Sequence, residues 1–198
     1  VNRRALDQVF TCWSPVGGET LFDGIRSLEP GTLLVAERDR DFALRHRVHR
    51  YWDWSFPTSP EGHLQGSDES LLEQVRELLI DATRIRLRAD VPVGAYLSGG
   101  LDSSILTSLI HHESDAPLRT FSIGFDDPSL DESAHQQRMI DFLGARHSRI
   151  DCTSADVGQA LVDTVRHTEC AVLRTAPVPM RLLSGLVRRE GHKVVLTG

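Results

Sequence analysis

The chain has 198 residues, 40% of them hydrophobic and 25% charged, with a net charge of −6 and a pI near 5.8. That is enough apolar material for one good core and part of a second, and it leaves no overall basic field to draw in a polyanion, so a nucleic-acid partner is not expected. Three cysteines, Cys12, Cys152 and Cys170, are odd in number and include no CxxC pair, which argues against a disulfide framework and a four-ligand zinc site.

Residues 3–10, RRALDQVF, read as a short helix, and 17–31 as turn-rich. Residues 32–52 read as two strands joined at a polar RDRD tip, an antiparallel element with too little apolar material to stand alone. Prolines, glycines and serines gather in 53–67, DWSFPTSPEGHLQGS, which marks a linker. Tyr51, Trp52 and Trp54 at its start read as packing at a domain junction. Residues 68–89 set Leu71, Leu72, Val75, Leu78, Leu79, Ala82 and Ile85 at helical spacing. Acids open this helix, and Arg84, Arg86 and Arg88 lie towards its end, where the dipole favours them.

Beyond it, VGAYL (93–97), RTFSIGF (119–125), ARHSRID (145–151) and KVVLT (193–197) read as strands. Helices are expected at 103–113, at 131–144 with Asp131 as cap, at 154–167 and at 178–190. This alternation predicts βαβ units, hence a Rossmann-like, doubly wound α/β fold: a parallel sheet with helices on both faces. The organisation expected is 1–52, a linker at 53–67, and 68–198. No apolar run approaches the roughly 18 residues of a membrane span, and no signal peptide is recognisable, so a cytoplasmic address without a membrane partner is expected.

In such a sheet ligands sit outside the carboxyl ends of the strands, which is where SGGLDSS, Ser98 to Ser104, falls. Gly99 and Gly100 permit a tight turn and close approach of a ligand. The amides opening the next helix, with the Ser103 and Ser104 hydroxyls, offer donors to an anion, phosphate first. A Walker A loop requires GxxxxGK[ST], and the one lysine, Lys193, is far along the chain. A dinucleotide fingerprint requires GxGxxG, and here the glycines are adjacent. Asp102 has two open roles, a ligand to Mg²⁺ or a cap to the helix. His111, His112, His135 and His167 have no partner in the sequence, and the HxxC spacing of His167 and Cys170 reads as ordinary helix residues.

SGGLDSS resembles the S-G-G-x-D-S pyrophosphate loop (PP-loop) of the N-type ATP pyrophosphatases, which cleave ATP between its α and β phosphates. VPVGAYLSGGLDSS, TFSIGFDDPSLDES and TAPVPMRLLSGLVRREGHKVVLTG, in that order, are similar to the synthetase domain of glutamine-dependent asparagine synthetases, whose fold is adenine nucleotide alpha hydrolase-like. The earlier GETLFDGIRSLEPGTLLV and RYWDW are similar to the end of that family's class II glutamine amidotransferase domain.

The resemblance implies ATP with its adenine at the backbone of Leu97 and Ile123 and its pyrophosphate at Ser98, Gly99, Gly100, Asp102, Ser103 and Ser104. Further contacts are implied at Thr197 and Gly198, where the family usually has Ser-Gly. Mg²⁺ at Asp102 follows from charge. Arg174 is the candidate for the substrate carboxylate, with a plain surface arginine as the alternative. The implied substrates are aspartate and glutamine or ammonia: a β-aspartyl-adenylate forms with release of pyrophosphate, then ammonia displaces AMP. The resemblance allows a homodimer of the full-length protein.

Two departures stand out. The family's N-terminal glutaminase cysteine has no counterpart, since residue 1 is Val and Cys12 falls at a helix end, so no catalytic residue for glutamine hydrolysis is assigned. The chain stops at VVLTG, where the family continues through a Gly- and acid-rich loop, so the expectation is a fragment that binds ATP weakly. The alternatives are a related carboxylate-adenylating enzyme, of β-lactam synthetase or peptide cyclase type, and a non-catalytic nucleotide-binding module. A sulfur-transferring tRNA enzyme with the same loop would favour a basic surface and paired cysteines, and both are missing.

Overall fold

The computed structural model describes residues 1–114 and 117–198. Its backbone separates into two units, 1–65 with 168–173, and 66–167 with 174–198.

In the first unit Asn2 caps α1 (Arg3–Cys12) by accepting from the Ala5 N–H, and the helix buries Ala5 and Val9 completely. β1 (Thr32–Arg38) and β2 (Leu44–Arg50) pair antiparallel, from Thr32↔Arg50 to Arg38↔Leu44. The Asp39 carboxylate shapes the tip: it accepts from the Asp41 and Ala43 N–H groups and pairs with Arg45. Tyr51, Trp52 and Trp54 are exposed, Trp54 to 70%; Trp52 meets Trp54 edge-on at 4.7 Å, and Trp54 stacks on Phe56 at 5.8 Å.

The second unit opens with α2 (Asp68–Arg86), whose cap Ser67 accepts from the Ser70 N–H. The helix forms as its period predicts, three residues shorter, but most of its apolar stripe is uncovered: Leu72, Val75, Leu78, Leu79 and Ile85 are exposed, while Thr83 is buried. The reason is that α2 packs chiefly on one neighbour, α3 (Leu101–Glu113), so only a narrow face is covered. The other elements are β3 (Val93–Tyr96), β4 (Arg119–Phe125), α4 (Ser133–Leu143), β5 (Arg146–Cys152), α5 (Ser154–Thr168), α6 (Pro177–Arg189) and β6 (Val194–Leu196). The four strands run parallel in the order β5-β4-β3-β6.

Alternation along the strands builds two apolar layers. Ala95 packs with Ile110, Leu118 and Leu143 on the face that α3 and α4 cover. Phe121 packs with Leu183 and Val187 of α6 on the opposite face. Each of the larger side chains here, all but Ala95, contributes about 1.5–3 kcal/mol by burial. The protein is thus α/β, a parallel sheet with helices on both faces, and it carries the short antiparallel pair as well. α4 starts one residue later than expected: Glu132 is the N-cap, and Asp131, just outside, accepts from both the backbone N–H and the hydroxyl of Ser133. Among the described residues no helix is long and apolar enough to cross a membrane.

Candidate functional site

β3 is the strand at which the chain reverses its direction of travel across the sheet. It leaves through α3 to β4 and through α4 to β5 on one side, and returns as β6 on the other edge of β3. In open α/β sheets ligands bind at this switch point, outside the carboxyl ends of the strands. Ser98 to Ser104 opens from the end of β3, and Thr197 and Gly198 follow the end of β6. The two segments touch. A Cβ added to Gly198 would lie 2.5 Å from the Asp102 carbonyl carbon and the Ser103 nitrogen, so no side chain fits there.

The loop is built from its own polar groups. Gly99 has φ 96°, which side-chain-bearing residues avoid, and a Cβ there would come within 3.1 Å of the Glu132 carbonyl oxygen and His135 Cβ. The Ser98 hydroxyl accepts from the Gly100 N–H at 3.2 Å and shares a 2.9 Å hydrogen bond with the Ser103 hydroxyl. Ser103 and Ser104 donate to the Gly100 carbonyl at 3.1 and 2.8 Å. Gly100 is the N-cap of α3 and brings no side chain, so no side chain caps the first-turn amides, and the helix dipole adds positive potential there. An anion is the natural complement.

Asp102 is the second residue of α3, exposed, and without a hydrogen-bond partner among the described residues, so it does not cap the helix. Among those residues no group of three or more His, Cys, Asp or Glu is arranged to hold a metal ion. A lone carboxylate still fits Mg²⁺, which draws most of its ligands from water and substrate phosphates.

Leu97 is buried, and its N–H continues the ladder to the Phe121 carbonyl at 2.9 Å. Ile123, half-buried on β4, is joined to the loop by Gln136 of α4. The Gln136 amide Nε2 donates to the Ser98 carbonyl at 3.0 Å and to the Ile123 carbonyl at 3.4 Å. Its Oε1 is buried and accepts nothing among the described residues, a deficit that costs about 1–3 kcal/mol. Sequence reasoning missed this residue because the pair Gln136-Gln137 looks like a solvated face. Gln137 is indeed exposed and bonds Asp141. The available signal was the spacing of Gln136 with Met139 and Leu143, which puts a polar side chain in an apolar stripe. Arg174 lies exposed in the segment before α6.

His111, His112, His135 and His167 are exposed. His147, not singled out from the sequence, lies between the Thr120 and Ser122 hydroxyls, 2.9 Å from each. Burial first, then Arg149 and Arg119, holds its pKa below the ordinary value. Cys152 is buried, and burial first, then Asp156 and Asp126, pushes its thiol up, which disfavours the thiolate. A hollow of about 760 Å³ in the first unit is lined by none of the residues 98–104. A smaller one of about 420 Å³ is bounded by α2, α3 and β6 and reaches Thr197. Chemistry, not size, identifies the site.

The asparagine synthase family model matches residues 74–198. The amidase chry2 of Gibberella zeae is 32% identical over 92% of this chain and 29% of its own length. A putative glutamine-hydrolysing asparagine synthetase of Mycobacterium bovis is 30% identical over 100% of this chain and 29% of its own length. The glutamine-hydrolysing asparagine synthetase 1 of Bacillus subtilis is 30% identical over 91% and 27%. The chain therefore spans less than a third of the length of these relatives. Among solved structures, a glutamine-dependent NAD⁺ synthetase from Acinetobacter baumannii in complex with ADP is a distant likeness, with TM-score 0.48, 19% identity, and coverage of 82% of this chain and 30% of that one. With the family match extending over most of its residues, the chain belongs to the asparagine synthase family.

Proposed function

We propose that this chain forms the nucleotide-binding part of an ATP-dependent amide ligase. A carboxylate oxygen, that of the aspartate side chain in the first instance, attacks the α-phosphorus of ATP. The bond to pyrophosphate breaks, and ammonia derived from glutamine then attacks the acyl carbon of the resulting β-aspartyl-adenylate, forming the amide and releasing AMP. The observation that carries this reading is the loop itself: a lysine-free turn folded onto the uncapped start of α3, at the switch point of the sheet.

The charge that must be stabilised in the transition state builds on the leaving pyrophosphate. The first amides of α3 face it uncapped, and the hydroxyls beside them are already ordered, Ser98 and Ser103 by their mutual hydrogen bond and Ser103 and Ser104 by donating to the Gly100 carbonyl. Thr197 and Gly198 form the opposite wall, where the missing side chain of Gly198 lets the backbone come close. The adenine lies at the backbone of Leu97 and Ile123. Asp102 would hold Mg²⁺, whose charge offsets that of the phosphates when it is bound. Arg174 is assigned to the substrate carboxylate, which a guanidinium holds by two parallel hydrogen bonds.

A second reading keeps adenylation and changes the acid. The Gibberella zeae relative is called an amidase, and nothing in the loop selects aspartate. The test is carboxylate-dependent ATP–pyrophosphate exchange by the full-length protein with a panel of acids. Ser98→Ala and Asp102→Ala are each expected to lower the rate by about 10²–10³, and unchanged exchange would remove the loop from the reaction. Exchange driven by an acid other than aspartate selects the second reading. ATP binding without exchange for any acid makes the chain a non-catalytic module.

A further inference from the structure

Resting on the nucleotide reading above, we propose that Gln136 is a positioning residue. Its side-chain amide fixes the spacing between the phosphate loop and the base-reading end of β4, so that the two half-sites accept one ATP as a unit.

The last residue pair of β3 with β4 is Tyr96↔Phe121, and the last ladder hydrogen bond runs from the Leu97 N–H to the Phe121 carbonyl. Ser98 and Ile123 lie two residues further along each strand, one entering the phosphate loop and the other at the base edge. The two hydrogens of Gln136 Nε2 carry the tie beyond the ladder by reaching the carbonyls of both residues. Because both partners are acceptors, the amide has one workable orientation, with nitrogen towards the strand ends. The same helix also meets the loop a turn earlier, where Gly99 is pressed against Glu132 and His135. One rigid element, α4, therefore supports both half-sites.

The cost side points the same way. Gln136 is 4% exposed, and its Oε1 is left without a donor among the described residues. An apolar side chain in this stripe would fill the space without an unpaired acceptor. What the amide supplies, and an apolar chain cannot, is a fixed separation between two carbonyls on adjacent strands. Fixing that separation before binding lowers the ordering cost of a ligand that spans it, and a misplacement of about 1 Å in such a site can cost on the order of 10²-fold in rate.

The test compares ATP, AMP and pyrophosphate by titration calorimetry on the full-length protein and its Gln136→Met variant, with Gln136→Leu as a second replacement and thermal melting as a check of fold. AMP and pyrophosphate each engage one half-site and are expected to bind the variants within about twofold of the native protein. ATP is expected to bind at least tenfold more weakly, about 1.4 kcal/mol. Equal weakening of all three ligands would reduce Gln136 to a structural residue, and unchanged ATP affinity in both variants would remove it altogether. Absence of AMP and pyrophosphate binding in the native protein would overturn the nucleotide reading, and this inference with it.

Discussion

His147 shows how a single side chain can set the pH response of the fold. Held between the Thr120 and Ser122 hydroxyls, the neutral ring donates at one nitrogen and accepts at the other. Its pKa lies below 6.5 in the folded protein, chiefly because of burial and then because of Arg149 and Arg119, so on acidification the unfolded chain takes the proton first. The stabilising effect is complete above about pH 6.5 and is lost as the pH falls through the folded-state value. Asp127, Asp131 and Asp156, whose pKa values are lowered mainly by the hydroxyls of Ser129, Ser133 and Thr153, act in a separate window, below their ordinary 3.8. The urea midpoint of the native protein is expected to drop between pH 7 and 5, and that of His147→Gln to drop less. Gly99→Ala makes a different point. At φ 96° the strain costs about 1–3 kcal/mol, and the variant should lose that much in urea unfolding, together with pyrophosphate binding. The loop was legible from the sequence because its constraints are local: two glycines, three hydroxyls and an acid within seven consecutive positions. Gln136 and His147 were not, since their partners belong to other elements and become neighbours only through the strand order.

At the level of elements, the sequence pattern was informative about type and weak about partner. The period of α2 gave a helix, yet the buried position is Thr83 and the leucines at 72 and 78 face outward. Periodicity reports that a face is apolar, and only the neighbours decide whether it is covered. Three of the four strands were readable as short apolar runs and the more polar β5 as a further candidate between helices, whereas the order β5-β4-β3-β6 depends on non-local pairing that no local pattern encodes. Asp131 illustrates the limit at boundaries: its carboxylate does hold the start of α4, from one position further out than expected. α6 offers a test of the second layer. Leu183 is 3% exposed against Phe121 and Val187, so Leu183→Ala should destabilise the protein by about 2–5 kcal/mol in urea unfolding, while a change at exposed Leu72 should leave stability within about 0.5 kcal/mol.

For the molecule as a whole, that uncovered stripe of α2 has a consequence in solution. Leu72, Val75 and Leu78 are 53–70% exposed along one helix, a contiguous apolar surface of the kind that drives association. The 198-residue chain is expected to self-associate with rising concentration in light scattering. Replacing Leu72 and Leu78 with Lys should suppress this without changing the circular dichroism spectrum. Thr197 and Gly198 rest on the backbone of Asp102 and Ser103, so on the proposed reading they would tie the nucleotide to the architecture itself. β6 is a three-residue edge strand, weakly latched by its own ladder. A triphosphate held by both walls, as proposed, would act as its clasp, and at about a hundred times the dissociation constant such a ligand would lend roughly 2.7 kcal/mol to the docked state. On that reading amide protons of Val194 to Leu196 should exchange with deuterium markedly more slowly once ATP is present, which would make β6 a reporter of occupancy at the loop that opens from β3.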